Sequence, residues 1–216
     1  MIAASAGNHA QALAFHAVDL GIPVTVVMPR IAPLTKVQNC RDIGANVMLE
    51  GDHLGESREV AMKLAEEQGL AYVNGYDDPG VIAGAGTMGI EIAEDVPDVD
   101  AVVVPVGGAG LIAGTALAMK TLKPSVEVLG AEPATVPSLR ASLQAGRVVE
   151  VPAGRTLADG LLVNRVGTNA FEICRRLVGP VAPVKERFIA LAMLRLLELE
   201  KAVVEGGGAT GLAALL

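Results

Sequence analysis

Aromatic side chains are nearly missing from this 216-residue chain: Trp is absent, and Tyr and Phe together make up 2%. Stacking on bases needs such rings, and neutralising a phosphodiester backbone needs an excess of positive charge. Here 24 Asp and Glu outweigh 17 Lys and Arg, for a net charge of −7. Nucleic acid is therefore excluded as an expected partner. The two cysteines, Cys40 and Cys174, stand far apart. They lack the paired spacing of a disulfide framework or a metal site and read as small buried residues. No apolar run approaches the roughly 20 residues of a membrane span. The N-terminus shows no basic stretch leading into an apolar core and a cleavage site. No membrane association and a cytoplasmic location are the expectations. Repeats and low-complexity tracts are also absent.

What the chain does have is apolar residues, 51% of the total, in short runs separated by helical patterns. That predicts an α/β protein of one large or two small domains. Its most informative stretch runs from Ala101 to Gly114, an apolar strand entering a glycine turn that opens a helix. Successive N–H groups in such a turn converge on an anion at the positive end of the helix, and a phosphate is the expected guest. Two phosphate carriers fit the residues. Gly108-Ala-Gly-Leu-Ile-Ala113 satisfies the alanine-ended dinucleotide fingerprint, with Glu132 about 20 residues on. A compact phosphate handle such as that of pyridoxal phosphate needs the same amides and no acidic partner. A Walker loop is excluded, because no Lys-Ser or Lys-Thr follows the glycines. A second match, Gly84-Ala-Gly-Thr-Met-Gly89, has too short a strand before it and reads as glycines in a packed helix.

The first polar loop, Ser5 to His9, feeds a helix to about Leu20 that is apolar nearly all round and is expected to be buried. Its small and hydroxyl residues suit a carboxylate or a phosphate. Strands follow at Val24–Met28 and Asn46–Leu49, with a helix at Leu34–Ile43 between them and an amphipathic helix at Leu54–Gln68 after. Ala71–Val73 is expected to complete a βαβαβ-like unit. Asn74 to Gly80 has the composition of a boundary, dividing a small domain, residues 1–76, from a larger one, 77–216. Helices are predicted from Asp78 to Glu94, up to Leu122, and at Ser138–Ala145, Thr168–Leu177 and Lys185–Ala202, with a strand at Glu127–Ala131. Strands alternating with helices imply parallel sheets.

Six segments in this order resemble the serine/threonine dehydratase family. They are Ser5-Ala-Gly-Asn-His-Ala-Gln11, Ile82-Ala-Gly-Ala-Gly-Thr87, Val104-Pro-Val-Gly-Gly-Ala-Gly-Leu111, Gly130-Ala-Glu-Pro133, Thr156-Leu-Ala-Asp-Gly160 and Glu205 with its glycines. The family includes serine racemases and belongs to the second fold type of pyridoxal-phosphate enzymes. The likeness runs the length of the chain and turns the choice of phosphate carrier to pyridoxal 5'-phosphate.

The resemblance implies a two-domain architecture with parallel-sheet cores and helices on both faces, 1–76 carrying the substrate loop and 77–216 forming part of the phosphate-binding domain. Ser5, Ala6, Gly7, Asn8 and His9 would hold the substrate carboxylate, with Asn8 also meeting the cofactor's phenolic oxygen. Gly107, Gly108, Ala109, Gly110 and Leu111 would hold its phosphate, Asp159 and Gly160 would line the ring, and Glu205 would approach it. Glu132 matches a position that ligates a mono- or divalent cation. The implied reaction is dehydration and deamination of L-serine or L-threonine to a 2-oxo acid and ammonia, in a homo-oligomer, most simply a dimer.

Four departures from the family pattern bear on this. Ala109 replaces a glycine, Ser138 replaces a second acidic cation ligand, and Ala6 replaces the serine with which racemases protonate the opposite face. The family's Schiff-base lysine lies in a Ser-x-Lys-x-Arg-Gly segment upstream of the first loop. Lys36, Lys63, Lys120, Lys123, Lys185 and Lys201 all lack that context. The chain thus reads as an internal or truncated portion of a dehydratase, its large domain incomplete. The other expectations are an inactive homologue that binds phosphate or a full-length partner, a serine racemase, and a nicotinamide-dependent oxidoreductase.

Overall fold

Alternate residues of a strand point to opposite faces, so a parallel strand covered on both sides must be apolar at consecutive positions. Thr25-Val-Val-Met28 shows this directly. Val26 and Met28 join one buried cluster and Val27 joins another. The computed structural model describes residues 1–216 and divides into two compact units, Met1–Gly75 and Tyr76–Leu216.

In the first unit, β1 (Ile2–Ala4), β2 (Thr25–Met28) and β3 (Asn46–Leu49) form a parallel sheet in that order. Ala3 is in register with Val26 and Val26 with Val47. Helix α1 (Asn8–Asp19) and α2 (Leu34–Asp42) cover one face, through Ala10, Ala14, Val37 and Cys40 against Val26 and Met28. Helix α3 (Leu54–Gln68) covers the other, where Ala61 packs with Ile2 and Val27. Two expectations are corrected. The segment 71–73 is not a strand and contributes a single parallel bridge, Tyr72 to Ile2, the pairing strand in the sheet being the unanticipated β1. Helix α1 is not buried all round, because its inward stripe is only Ala10, Ala14 and Ala17, leaving Phe15 56% exposed.

In the second unit, β4 (Ala101–Pro105), β5 (Glu127–Pro133) and β6 (Val181–Val184) are parallel in that order, with Pro105 in register with Ala131. β6 escapes the sequence reading because Pro183 interrupts it; a proline is tolerated on an edge strand, which this is. Helices α4 (Pro79–Asp95), α5 (Gly110–Leu122), α6 (Ser138–Ala145) and α7 (Thr168–Leu177) supply Ile82, Ile112, Met119, Leu139 and Phe171 to one core, with Val104 and Val128 of the sheet. The decoy glycines lie in α4. A methyl on Gly89 would stand 2.9 Å from the Thr115 carbonyl oxygen, so α4 and α5 meet backbone to backbone.

The other face carries α8 (Glu186–Arg195) and α9 (Gly206–Ala213), with Ile189, Ala192 and Ala209 against Ala131 and Val184. The expected single helix to Ala202 instead leaves α8 through a π-helical turn at Leu196–Glu200, closed by Lys201 at φ 56°. Half of helix α9 is glycine, yet Gly206 and Gly211 press on the backbone at Leu157 and Val103. No helix is long and apolar enough to cross a membrane.

Candidate cofactor site

Strand β4 ends at Pro105 and the chain turns through Val106 to Ala109 before α5 begins. Val106 N–H donates to the Ala131 carbonyl at 2.8 Å, the last bond that ties this segment to the sheet. The N–H groups of Gly107, Gly108, Ala109, Gly110 and Leu111 then find no acceptor among the chain's own groups. Helix N-termini always leave such donors, and here the preceding turn adds more. Ala109 has φ 73°. A left-handed alanine costs roughly 1–2 kcal/mol, a strain that persists only where its surroundings over-determine it.

Those surroundings are close. A Cβ on Gly108 would fall on the Tyr76 ring, and one on Gly110 would collide with the Tyr76 carbonyl and stand 2.7 Å from its Cα. One on Gly107 would lie 3.1 Å from Leu161 Cα. Only glycine fits at 108 and 110, and a side chain at 107 would need Leu161 to give way, so this wall of the turn is bare backbone. Leu161 belongs to a 3₁₀ turn, Asp159–Leu161. A Cβ on Gly160 would be 3.8 Å from Glu205 Oε1, and Glu205 stands at the head of α9. Three predicted segments remote in sequence, Gly107–Leu111, Asp159–Gly160 and Glu205, thus meet on one side of the second unit. The bare, amide-lined turn fits a phosphate group, and Gly160 beside it adds no side chain.

Glu132 is placed differently. It is fully buried at the end of β5, and its two oxygens accept the N–H groups of Leu139 at 3.0 Å and Arg140 at 3.1 Å. It caps α6 from a distance, a role the sequence reading did not assign. Burial pushes its carboxyl up to about 7, against the pull of these two amides and the Arg140 charge. No group of three or more His, Cys, Asp or Glu side chains that could hold a metal ion is present. The cation role implied for Glu132 finds no companion side chains, and Ser138 beside it is buried with its own carbonyl accepting the Ser142 hydroxyl at 2.8 Å.

In the first unit, Ser5, Ala6, Gly7, Asn8 and His9 form the turn from β1 into α1. Ser5 N–H donates to Val27 O and Gly7 N–H to Ser5 Oγ, each at 3.2 Å. A bound carboxylate would compete with the serine hydroxyl for the Gly7 amide. His9 Nε2 lies 3.2 Å from the Val73 carbonyl. A carbonyl only accepts, so Nε2 carries the proton and Nδ1 is the free acceptor. Burial lowers the His9 pKa and outweighs the opposing Val73 bond, keeping the ring neutral. Cys40 and Cys174 are both buried; burial raises the Cys40 thiol and pushes that of Cys174 up to about 12, so neither is a nucleophile.

The family model described as "Pyridoxal-phosphate dependent enzyme" matches residues 1–216. The chain belongs to this family. It is 49% identical over 216 residues to an L-threonine ammonia-lyase of Thermotoga maritima, covering 100% of this chain and 54% of that protein. Among solved structures it superposes on the processed form of threonine deaminase isoform 2 from Solanum lycopersicum with a TM-score of 0.95 at 37% identity, covering 99% of this chain and 62% of that one. Maize serine racemase gives a TM-score of 0.95 at 36% identity, covering 99% and 65%. The chain spans about half the length of the curated relative in Thermotoga. The fold is that of the second fold type of pyridoxal-phosphate enzymes, and a nicotinamide-dependent reading is set aside.

Sequence reading missed Tyr76, which walls the turn, because Asn74 to Gly80 carries only the composition of a boundary. The one available signal was negative: a turn of bare glycines needs something to press against it.

Proposed function

We propose that this chain provides the phosphate cradle and the substrate loop of a pyridoxal-phosphate-dependent ammonia-lyase that dehydrates L-threonine or L-serine to a 2-oxo acid and ammonia. In this reading Met1–Gly75 is the small, substrate-loop domain and Tyr76–Leu216 is part of the large, phosphate-binding one. The observation that carries it is the set of acceptor-free amides from Gly107 to Leu111, where Tyr76 stands so close that no side chain fits at 108 or 110. The relatives named threonine ammonia-lyase and threonine deaminase point to the same activity.

Gly107, Gly108, Ala109, Gly110 and Leu111 hold the phosphate through charge-assisted N–H bonds at the positive end of α5. Gly160 gives the ring its space, and Glu205 fixes the electrostatics on that side. Ser5, Ala6, Gly7, Asn8 and His9 bind the substrate carboxylate, Asn8 also donating to the cofactor's phenolic oxygen. Pyridoxal phosphate held by these residues would supply an electron sink at the substrate's α-carbon, the chemistry that elimination of a β-hydroxyl needs. Ala6 offers no proton to the opposite face, which favours dehydration over racemisation. A homodimer is the proposed assembly.

Titration with pyridoxal 5'-phosphate tests the cradle, and release of 2-oxobutyrate from L-threonine or pyruvate from L-serine by a longer protein that joins this chain to the Ser-x-Lys-x-Arg-Gly segment tests the reaction. Gly108→Asp should abolish cofactor binding, since its carboxylate repels the phosphate and its Cβ falls on Tyr76. Retention of the cofactor by that variant would overturn the assignment of the phosphate to this turn.

A further inference from the structure

Tyr76 is held against the cradle by something, and the next residue shows what. Asp77 Oδ2 accepts the Thr168 N–H at 2.9 Å and Oδ1 accepts the Ala170 N–H at 3.0 Å. Asn169 Nδ2 donates to the Asp77 carbonyl at 2.9 Å. Helix α7 has no cap from its own N-cap residue, Gly167. Its orphan amides are served by a carboxylate about ninety positions earlier in the chain. A side chain at 167 would fall on that carboxylate, so Gly167 is required for the approach. Gly167 N–H in turn donates to the Gly108 carbonyl at 3.0 Å, inside the cradle.

These contacts close a circuit. Asp77 is bound to the first turn of α7, α7 is bound to Gly108 through Gly167, and Gly108 and Gly110 are walled by Tyr76, which is covalently joined to Asp77. The circuit encloses Ala109, the residue held at φ 73° against its own preference. We propose that Asp77 is a positioning residue for the phosphate site: by pinning Tyr76 and the head of α7 to one another, it keeps the Gly108–Gly110 backbone in the conformation whose amides converge on a phosphate. The inference rests on the reading of this turn as the phosphate cradle. In this role Asp77 acts through Tyr76 and Gly108.

The test uses the full chain and pyridoxal 5'-phosphate as probe, with binding followed by titration and by the ³¹P resonance of the bound cofactor. Asp77→Ala should weaken binding about tenfold and shift or broaden that resonance, because the amides it anchors are charge-assisted partners of a carboxylate. Asp77→Asn should fall between this variant and the unsubstituted chain, since its carbonyl still serves Ala170 while its NH₂ cannot accept from Thr168. Phe171→Leu, a buried change elsewhere in α7, provides a variant whose melting temperature falls for packing reasons alone. It should leave the phosphate resonance in place.

The inference is overturned if Asp77→Ala binds within twofold of the unsubstituted chain, or if Phe171→Leu disturbs the resonance equally. Gly108→Asp separates the two levels. If it loses the cofactor while Asp77→Ala keeps it, the cradle stands and the positioning role falls. If it keeps the cofactor, or the unsubstituted chain takes up none, the cradle reading falls and the inference with it.

Discussion

Two turns in this chain solve the same topological problem with different materials. Each follows a parallel strand and opens a helix, Ser5–Gly7 before α1 and Val106–Ala109 before α5. The first is open: Ser5 Oγ takes the Gly7 amide, but a Cβ on Gly7 would meet nothing within 4 Å. The second has no polar side chain, gives its amides no acceptor, and is walled so closely by Tyr76 that only glycine fits at 108 and 110. An open turn with polar side chains can be adjusted to a changing substrate. A closed turn of bare backbone is specific by shape, and every atom that would alter its surface is excluded before charge enters. Helix α6 offers a third solution, in which the anion is Glu132 of the chain itself.

The sharpest break of this contrast is Gly110→Ala. Its methyl meets backbone atoms of Tyr76, which cannot rotate away, so the loss of stability should exceed the ~3 kcal/mol at the top of the usual overpacking range. Denaturant unfolding measures it, and a loss under 1 kcal/mol would mean that the wall is soft. Next is the internal anion of α6. The Glu132 pKa rises from 4.5 to about 7 on folding, so in that window the folded protein holds a proton that the unfolded chain has released. Stability is therefore full below pH 4.5 and declines as pH rises through 7, by up to about 3 kcal/mol. Melting temperatures across pH 4.5–8 should fall and then level, and Glu132→Gln should flatten the slope.

Ala109→Gly removes the left-handed strain and should stabilise the second unit by about 1 kcal/mol, an effect offset in part by glycine's larger unfolded-state entropy. A lower melting point would show that the Ala109 methyl, which is buried, contributes more by packing than its backbone costs. The smallest effect belongs to the open turn. Gly7 has φ −130°, which any residue tolerates, and empty space around it. Gly7→Ala should change stability by less than about 0.5 kcal/mol, and a larger loss would erase the distinction between the two turns.

Those turns were also the most legible parts of the sequence. Gly107, Gly108 and Gly110 stand out because close neighbours leave no space for a side chain at 108 and 110 and little at 107, and Ser5 to His9 because small polar residues open a helix. Regular helices such as Leu54–Gln68 and Thr168–Leu177 were legible from periodicity alone, with bounds that the structure reproduces. Elements that depend on a remote neighbour were not. β1 is three residues long and exists through its pairing with β2. β6 contains Pro183, and its strand character comes from the edge it occupies. Tyr76 and Asp77 looked like turn residues because nothing local reveals that Gly108 and Thr168 lie against them. Glu132 followed the spacing of a ribose ligand and the family's pattern of a cation ligand, and nothing local shows that its oxygens accept two amides of a helix with no cap of its own.

Helix α9 shows what such dependence means in time. Gly206-Gly-Gly-Ala-Thr-Gly211 would be a poor helix in isolation, each glycine costing about 1 kcal/mol relative to alanine. It is helical only where Gly206 can reach the Leu157 backbone and Gly211 the Val103 carbonyl. Because it depends on those partners, α9 should form late in the folding of its unit, after the β4 strand and the 3₁₀ turn. Glu205 rides at its head. The carboxylate should then come to lie beside Gly160 only when α9 docks, and pulse-labelled amide exchange should find the α9 amides protected after those of β4 and α5.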